Sequence, residues 1–298
     1  MNLPPQIARY GGVLFALMAT VIWSGNFIVA RGLSGEIPPV TLAFCRWTTA
    51  MLVLLPFAAV GMYRQRKELV ASVTHLVPTA FLGVTVFNTL IYIAGHKTTA
   101  LNLSLIAIFS PVFIIALAHV FLHDRVTLPR LCGVVLSVCG VVLLTTRGNL
   151  GVLLELQFNE GDLLMLFATL IFAVYTVLVR RKPVTLLPTA YLGANFVLGW
   201  IMLVPWVLWE WTYAPPTMPA PHVLGSIVYI GVGASLMAYL FWNYAIASIG
   251  PAKSAIVYYS LPLFCGIEAW LILGEAITWV HAVSGVLIVC GIFIANRQ

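Results

Sequence analysis

Ten stretches of 18–25 residues in this chain are almost wholly apolar, and little lies between them. They run at about 10–31, 38–61, 75–95, 101–122, 129–146, 162–181, 188–209, 222–246, 252–273 and 279–296. A helix needs about 20 apolar residues to cross a ~30 Å hydrocarbon layer, so each stretch reads as one membrane crossing. The runs are continuously apolar, not alternating, which excludes a porin-like barrel. Turn or charge signals fill the breaks: Pro38 with Pro39, Arg64 to Lys67, Arg180 to Lys182, Pro215 with Pro216, Gly250 with Pro251, and Gly274 with Glu275. The longest connection, 147–161, leaves no room for a soluble domain. Only 8% of the residues are charged, against roughly 25% in a soluble domain. That excludes a soluble enzyme. The net charge of +6 is spread between apolar runs, so no basic patch for nucleic acid forms.

Lys and Arg set the orientation. With a cytoplasmic N-terminus, the inner connections hold 11 of the 15 basic residues, the outer ones hold Arg31, Lys97 and Arg147, and Arg46 lies within a span. An even number of spans returns both termini to the cytoplasm. Trp206, Trp209, Trp211 and Tyr213 gather where the seventh span meets the outer interface, as an aromatic belt does. The first run ends without a small-residue cleavage site and reads as a span, not a removable signal. All five cysteines lie in apolar runs and read as small packing residues.

The second half of the chain echoes the first. At a shift of 149, Trp23 aligns with Phe172, Arg31 with Arg180 and Pro39 with Pro188. At a shift of 151, Pro111 aligns with Pro262, Asp124 with Glu275, and Gly140 with Gly291. The expected units are 1–146 and 162–298, joined by the loop 147–161. Five crossings is an odd number, so the second unit enters the membrane upside down. The expected fold class is therefore an all-α integral membrane protein of ten helices, arranged as two inverted five-helix repeats around a central cavity. Secondary transporters are built this way, with the site near midplane. Two packings related by such symmetry can be close in energy, which suits opening to either side.

Trp23, Ser24, Gly25, Asn26 and Phe27, followed by Arg31, resemble the first-helix pattern of the drug/metabolite transporter superfamily, specifically its EamA-type exporters. Phe44, Cys45, Arg46 and Trp47 are similar to the second-helix pattern of the same family, and Thr98 to Gly140 with Ser110, Pro111 and Asp124 to its fourth and fifth helices. The stretch from Pro262 through Gly274 and Thr278 to Gly291 is the counterpart in the second half. The likeness covers nearly the whole chain. It implies a plasma-membrane (bacterial inner-membrane) carrier working by alternating access, with cytoplasmic termini. Helices 1–4 and 6–9 would line a cavity, and helices 5 and 10 would be peripheral. It also implies export of amino acids, including aromatic ones, or of similar small metabolites; drugs, nucleosides and hydrophobic cations are the other substrates of this fold. The chain departs from the pattern at His123 and Asp124, where the family usually has Gly-Glu, and Arg46 aligns with the neutral Asn195.

A polar side chain inside a span needs partners or water. Asn26, Arg46, Asn88, Asn102, His119, Asn195, Asn243 and Glu268 are such groups. Arg46, roughly 12 Å inside the membrane at 1.5 Å per residue, either pairs a substrate carboxylate, or bonds helix-end carbonyls or Glu36, or snorkels outward. Trp23 and Asn26 share a helix face; Trp23 either stacks on substrate or packs against the fourth helix. Phe172 and Tyr175 present the matching face of the sixth. Asn88 with Tyr92, and Tyr239 with Asn243, are i, i+4 pairs on equivalent helices and either line the cavity or bond between helices. Ser110 before Pro111, and Tyr258, Tyr259 and Ser260 before Pro262, mark two hinges or static kinks. Glu268 is either a proton-coupling group or a structural carboxylate. Gly133, Ser137 and Gly140 form a small-residue stripe for close helix contact, within the chain or in a homodimer through helices 5 and 10.

The rival reading, an intramembrane enzyme, has one signal, His119 and His123 at metal-ligand spacing. The remaining histidines fall on both sides of the membrane, and no metal or other cofactor is expected. The partners expected are a small-molecule substrate and the lipid bilayer.

Overall fold

A computed structural model describes residues 5–33, 35–98, 100–216, 220–273 and 277–296. Among these the chain is helical, with no strand. Ten rods follow in order. α1 is Pro5–Gly32, α2 Pro39–Arg64, α3 Val73–Lys97, α5 Leu128–Thr145, α6 Glu160–Arg180, α7 Pro188–Glu210, α8 Pro221–Ile249 and α10 Trp279–Asn296. The fourth and ninth rods are broken: α4 consists of Ala100–Ala107 and Phe109–Leu122, and α9 of Pro251–Tyr258 and Leu261–Leu273. Eight helices of the described chain are long and apolar enough to cross a membrane, and Tyr10–Asn26 is a shorter apolar helix. Two connections expected as plain loops hold short pieces, a helix at Arg66–Ala71 and a 3₁₀ turn at Leu150–Leu154. The expected break at Gly274 and Glu275, and the match of Asp124 with Glu275, lie outside the described residues.

The breaks follow from proline chemistry. Proline has no N–H to give the carbonyl four residues back, and its ring clashes with that carbonyl. Four residues before Pro111 is Ala107, and four before Pro262 is Tyr258; these are the last residues of the two first segments. The orphaned turn in α9 tightens instead: Tyr259 N–H donates to Ile256 O at 3.2 Å and Ser260 N–H to Val257 O at 3.0 Å.

A second irregularity is also paired. α3 widens to π-helix over Phe81–Val86, and α8 does so over Tyr229–Met237. These stretches occupy equivalent positions in the two halves. A π-turn disturbs the regular carbonyl ladder, and such turns frequently mark functional sites.

Equivalent helices of the two halves run antiparallel where they touch. Along the α2–α7 contact, Ala58 meets Gly193, Thr48 meets Trp200, and Thr41 meets Glu210 and Trp211. Numbers fall on one helix as they rise on the other. Along α5–α10, Gly133 meets Gly291 and Gly140 meets Ser284. The packing keeps its pattern when the halves are exchanged: α1 lies on α8 and α9, and α6 on α3 and α4. Two five-helix units of opposite orientation produce this arrangement. The small-residue stripe of α5 is spent inside the molecule on α10, so it supplies no free face for a homodimer.

Polar ends anchor the rods. α6 begins with a capping box, Asn159 accepting from Gly161 N–H at 2.7 Å while Asp162 accepts from Asn159 N–H at 2.8 Å. Asp162 also accepts from Thr98 at 2.5 Å and Asn102 at 2.9 Å, which ties α4 to the start of α6. Glu210, the last residue of α7, is buried. Its carboxylate accepts from the backbone N–H of Val40 and Thr41 at 2.9 and 2.6 Å and so caps α2 from the end of α7. A carboxylate at a helix N-terminus answers both the open N–H groups and the helix dipole.

Candidate functional site

The centre of the fold is an aromatic cluster fed by both halves. Trp23 of α1 meets Phe172 of α6 with ring centroids 5.6 Å apart, Tyr239 and Trp242 of α8 at 5.9 and 5.3 Å, and Tyr258 of α9 at 6.0 Å. Phe87 stacks on Phe172 at 4.7 Å, and Tyr175 lies 6.1 Å from Phe172. Trp23 and Phe172 are repeat equivalents, so their contact marks the pseudo-two-fold axis. The expectation that Trp23 packs on α4 is corrected: its neighbours in this cluster are on α6, α8 and α9.

Polar bonds thread the cluster from half to half. Asn88 Nδ2 donates to Tyr239 OH at 3.0 Å, and these two are also repeat equivalents. Tyr239 OH donates to Gly83 O at 2.8 Å, inside the π stretch of α3. At the position equivalent to Gly83, in the π stretch of α8, Ala234 O accepts from Trp23 Nε1 at 2.9 Å and from Arg46 Nη2 at 3.0 Å. Each half thus offers one π-helix carbonyl to side chains of the other. Tyr175 OH donates to Asn243 Oδ1 at 3.3 Å.

Arg46, 1% exposed, sits against this network. Its Nε donates to Ser235, its Nη1 to Tyr92 OH at 2.8 Å and Asn26 Oδ1 at 3.2 Å, and its guanidinium lies 5.5 Å from the Trp47 ring. Glu36 bonds His222 at 2.7 Å, and among the described residues Arg46 forms no ion pair with Glu36.

Of the side chains expected to line a hollow, Trp23, Asn26, Arg46, Asn88, Tyr92, Phe172, Tyr175, Tyr239 and Tyr258 are all buried and bonded or stacked on one another. They form a closely packed centre between the two halves. Asn88 and Tyr92, one turn apart on α3, bond between helices, Asn88 to Tyr239 and Tyr92 to Arg46. Ser110 is buried beside the α4 break. Tyr259 is misplaced in the expected lining: it packs with Val141 and Ile288 on the α5–α10 side. Asn102 bonds Asp162, and Asn195 gives its amide to Tyr191 O of its own helix at 2.7 Å. His119 bonds Asp124 O at 2.8 Å, and His123 ends α4 in a left-handed turn with φ 57°. The two imidazoles therefore do not continue along one helical face. Glu268 accepts from Ser24 Oγ at 2.9 Å, and its second oxygen has no hydrogen-bond partner. Sequence reasoning missed Ser235 and Ala234, because nothing in the residue pattern of α8 announces a π stretch.

The family follows from a match made twice. A model of the EamA-like transporter family fits residues 10–146 and again 159–297, one stretch in each half. The chain belongs to the EamA-like transporter family. This EamA-like protein is 29% identical to an uncharacterized transporter of Archaeoglobus fulgidus, over 96% of this chain and 97% of that one. It is 24% identical to an uncharacterized transporter of Bacillus subtilis, over 97% and 94%. It is 25% identical to a probable terminal-alkyne amino-acid exporter of Streptantibioticus cattleyicolor, over 96% and 93%. A solved crystal structure superposes with a TM-score of 0.75 at 20% identity, covering 96% of both chains, and shares the fold. The EamA-like chain is a multi-pass membrane transporter, not an enzyme.

Proposed function

We propose that this transporter exports amino acids, aromatic ones included, or similar small metabolites, by alternating access through the centre described above. The observation that carries the reading is the meeting of repeat-equivalent side chains, Trp23 with Phe172 and Asn88 with Tyr239, midway between two inverted units. Such a meeting point is where an inverted-repeat carrier holds its substrate. Rings for an apolar side chain, neutral amides and phenols, and one guanidinium suit a zwitterion with an apolar or aromatic side chain. The similarity to a probable amino-acid exporter supports the substrate class. The buried Arg46 repels cations, which weighs against a hydrophobic-cation exporter. The two units are 1–146 and 162–298, and Pro111 and Pro262 are their hinges. The protein resides in the plasma membrane with both termini cytoplasmic, as the 11-to-3 division of inner and outer Lys and Arg supports.

Purified protein in liposomes, given a panel of labelled amino acids, should show saturable uptake of chemically unchanged substrate. The assay is run with and without a pH gradient, and with Glu268→Gln. Acceleration by the gradient that Glu268→Gln abolishes assigns proton coupling to Glu268. A gradient without effect leaves Glu268 as a structural carboxylate bonded to Ser24. Absence of uptake across the whole panel would contradict the substrate class.

A further inference from the structure

We infer that Arg46 is the carboxylate-recognising group of the transport site, and that the counter-ion it lacks is the carboxylate of the substrate itself. The inference rests on the amino-acid reading and narrows it. Each hydrogen bond from this guanidinium reaches a neutral oxygen: the hydroxyls of Ser235 and Tyr92, the side-chain carbonyl of Asn26 and the backbone carbonyl of Ala234. Among the described residues no carboxylate lies within ion-pair distance of it. Buried charges are ordinarily paired with the opposite charge, because neutral dipoles offset only part of the lost hydration. In a membrane interior the cost is at least as large.

A purely structural bond between helices does not need that charge. The repeat equivalent, Asn195, is also buried and uses a neutral amide bonded to Tyr191 O. Nor does the acid of α9 answer Arg46 around α1. Glu268 bonds Ser24, whereas Arg46 bonds Asn26. Those positions are two residues apart, about 200° around the helix, so the two charges approach α1 from opposite faces.

The surroundings fit a carboxylate-bearing ligand. A planar guanidinium binds carboxylates through parallel N–H donors. The partners on Nη1 are two side chains, Asn26 and Tyr92, that can turn aside. Tyr92 OH lies 3.5 Å from Asn26 Oδ1, a long contact, so its proton is available to a stronger acceptor. A carboxylate arriving there takes the place of Asn26 Oδ1 on Nη1 and accepts from Tyr92 as well. Ala234 O bonds both Arg46 and Trp23, which sets the fork beside the aromatic rings. One end of the ligand is thereby anionic and the rest apolar.

The test uses the full-length protein in liposomes, with labelled L-phenylalanine and L-threonine as probes and L-phenylalaninamide and L-threoninamide as counterparts that lack the carboxylate. The wild type should favour free acid over amide by about tenfold or more in kcat/KM. Arg46→Gln should reduce that preference to near unity, and Arg46→Lys, which keeps the charge but loses the fork, should fall between. A merely structural arginine would lower the transport of acid and amide alike and leave their ratio untouched. A wild type that moves the amino acids without preferring the free carboxylate overturns the inference alone, and this arm needs no variant to fold. So does a folded Arg46→Gln or Arg46→Lys that retains the full preference. A wild type that moves no amino acid of the panel contradicts the substrate reading, and the inference with it.

Discussion

Replacing Gly291 with valine should drive α5 and α10 apart and lower the stability of the protein by about 3 kcal/mol or more, the upper range for overpacking. The reason is backbone proximity. A Cβ at Gly291 would lie 2.6 Å from Gly133 O and 2.8 Å from Ser137 N, and a Cβ at Gly133 would lie 2.5 Å from Gly291 O. Flexible side chains can move aside, but two helix backbones in contact cannot. Helices in lipid gain no hydrophobic drive from packing together, so close van der Waals contact between small residues is their main attraction. The apparent Tm in detergent measures the loss. Gly225→Ala in α8 is the control, since nothing lies within 4 Å of its Cβ. It should be neutral or slightly stabilising, because alanine is the better helix former.

Trp23→Ala should be the most damaging single change at the centre. It removes ring contacts to Phe172, Tyr239, Trp242 and Tyr258 and takes one of two donors from Ala234 O. Large-to-small changes of this kind cost about 3–5 kcal/mol in tightly packed cores. Transport should fall to background even where the protein remains folded, because the site between the units loses its middle. Trp23→Phe separates the two contributions. It keeps much of the packing and loses only the indole N–H, so the apparent Tm should fall by less than half as much while the half-saturation concentration for L-phenylalanine rises severalfold. If Trp23→Ala transports normally, the cluster is a core and not a path.

The contrast between these two regions explains what the sequence could disclose. The ten rods were legible because lipid demands long apolar runs, and their observed ends at Pro39, Pro188 and Trp279 fall within a residue of the expected ones. The breaks in α4 and α9 were legible because proline acts locally, four residues back. The register of one half against the other was not. Asn88 meets Tyr239, and Arg46 meets Ser235, only because the two units dock as they do, and no periodicity within a helix encodes that. Glu210 shows the same gap: a carboxylate at the end of an apolar run looks like a loop residue until α2 is placed beside it. Tyr259 was misassigned because sequence proximity to Tyr258 does not reveal that the α9 break turns the two rings toward different neighbours.

The central claim is that the closed cluster between the units opens alternately to the two sides. A single cysteine at Asn88, introduced into a transport-competent protein whose Cys45, Cys132, Cys139, Cys265 and Cys290 have been replaced, tests it directly. A membrane-impermeant thiol reagent applied to sealed vesicles of either orientation should label this site from each side, and transported amino acid should shift the balance between the two. Labelling from neither side, or from one side only whatever substrate is present, in a protein that still transports, would contradict the account.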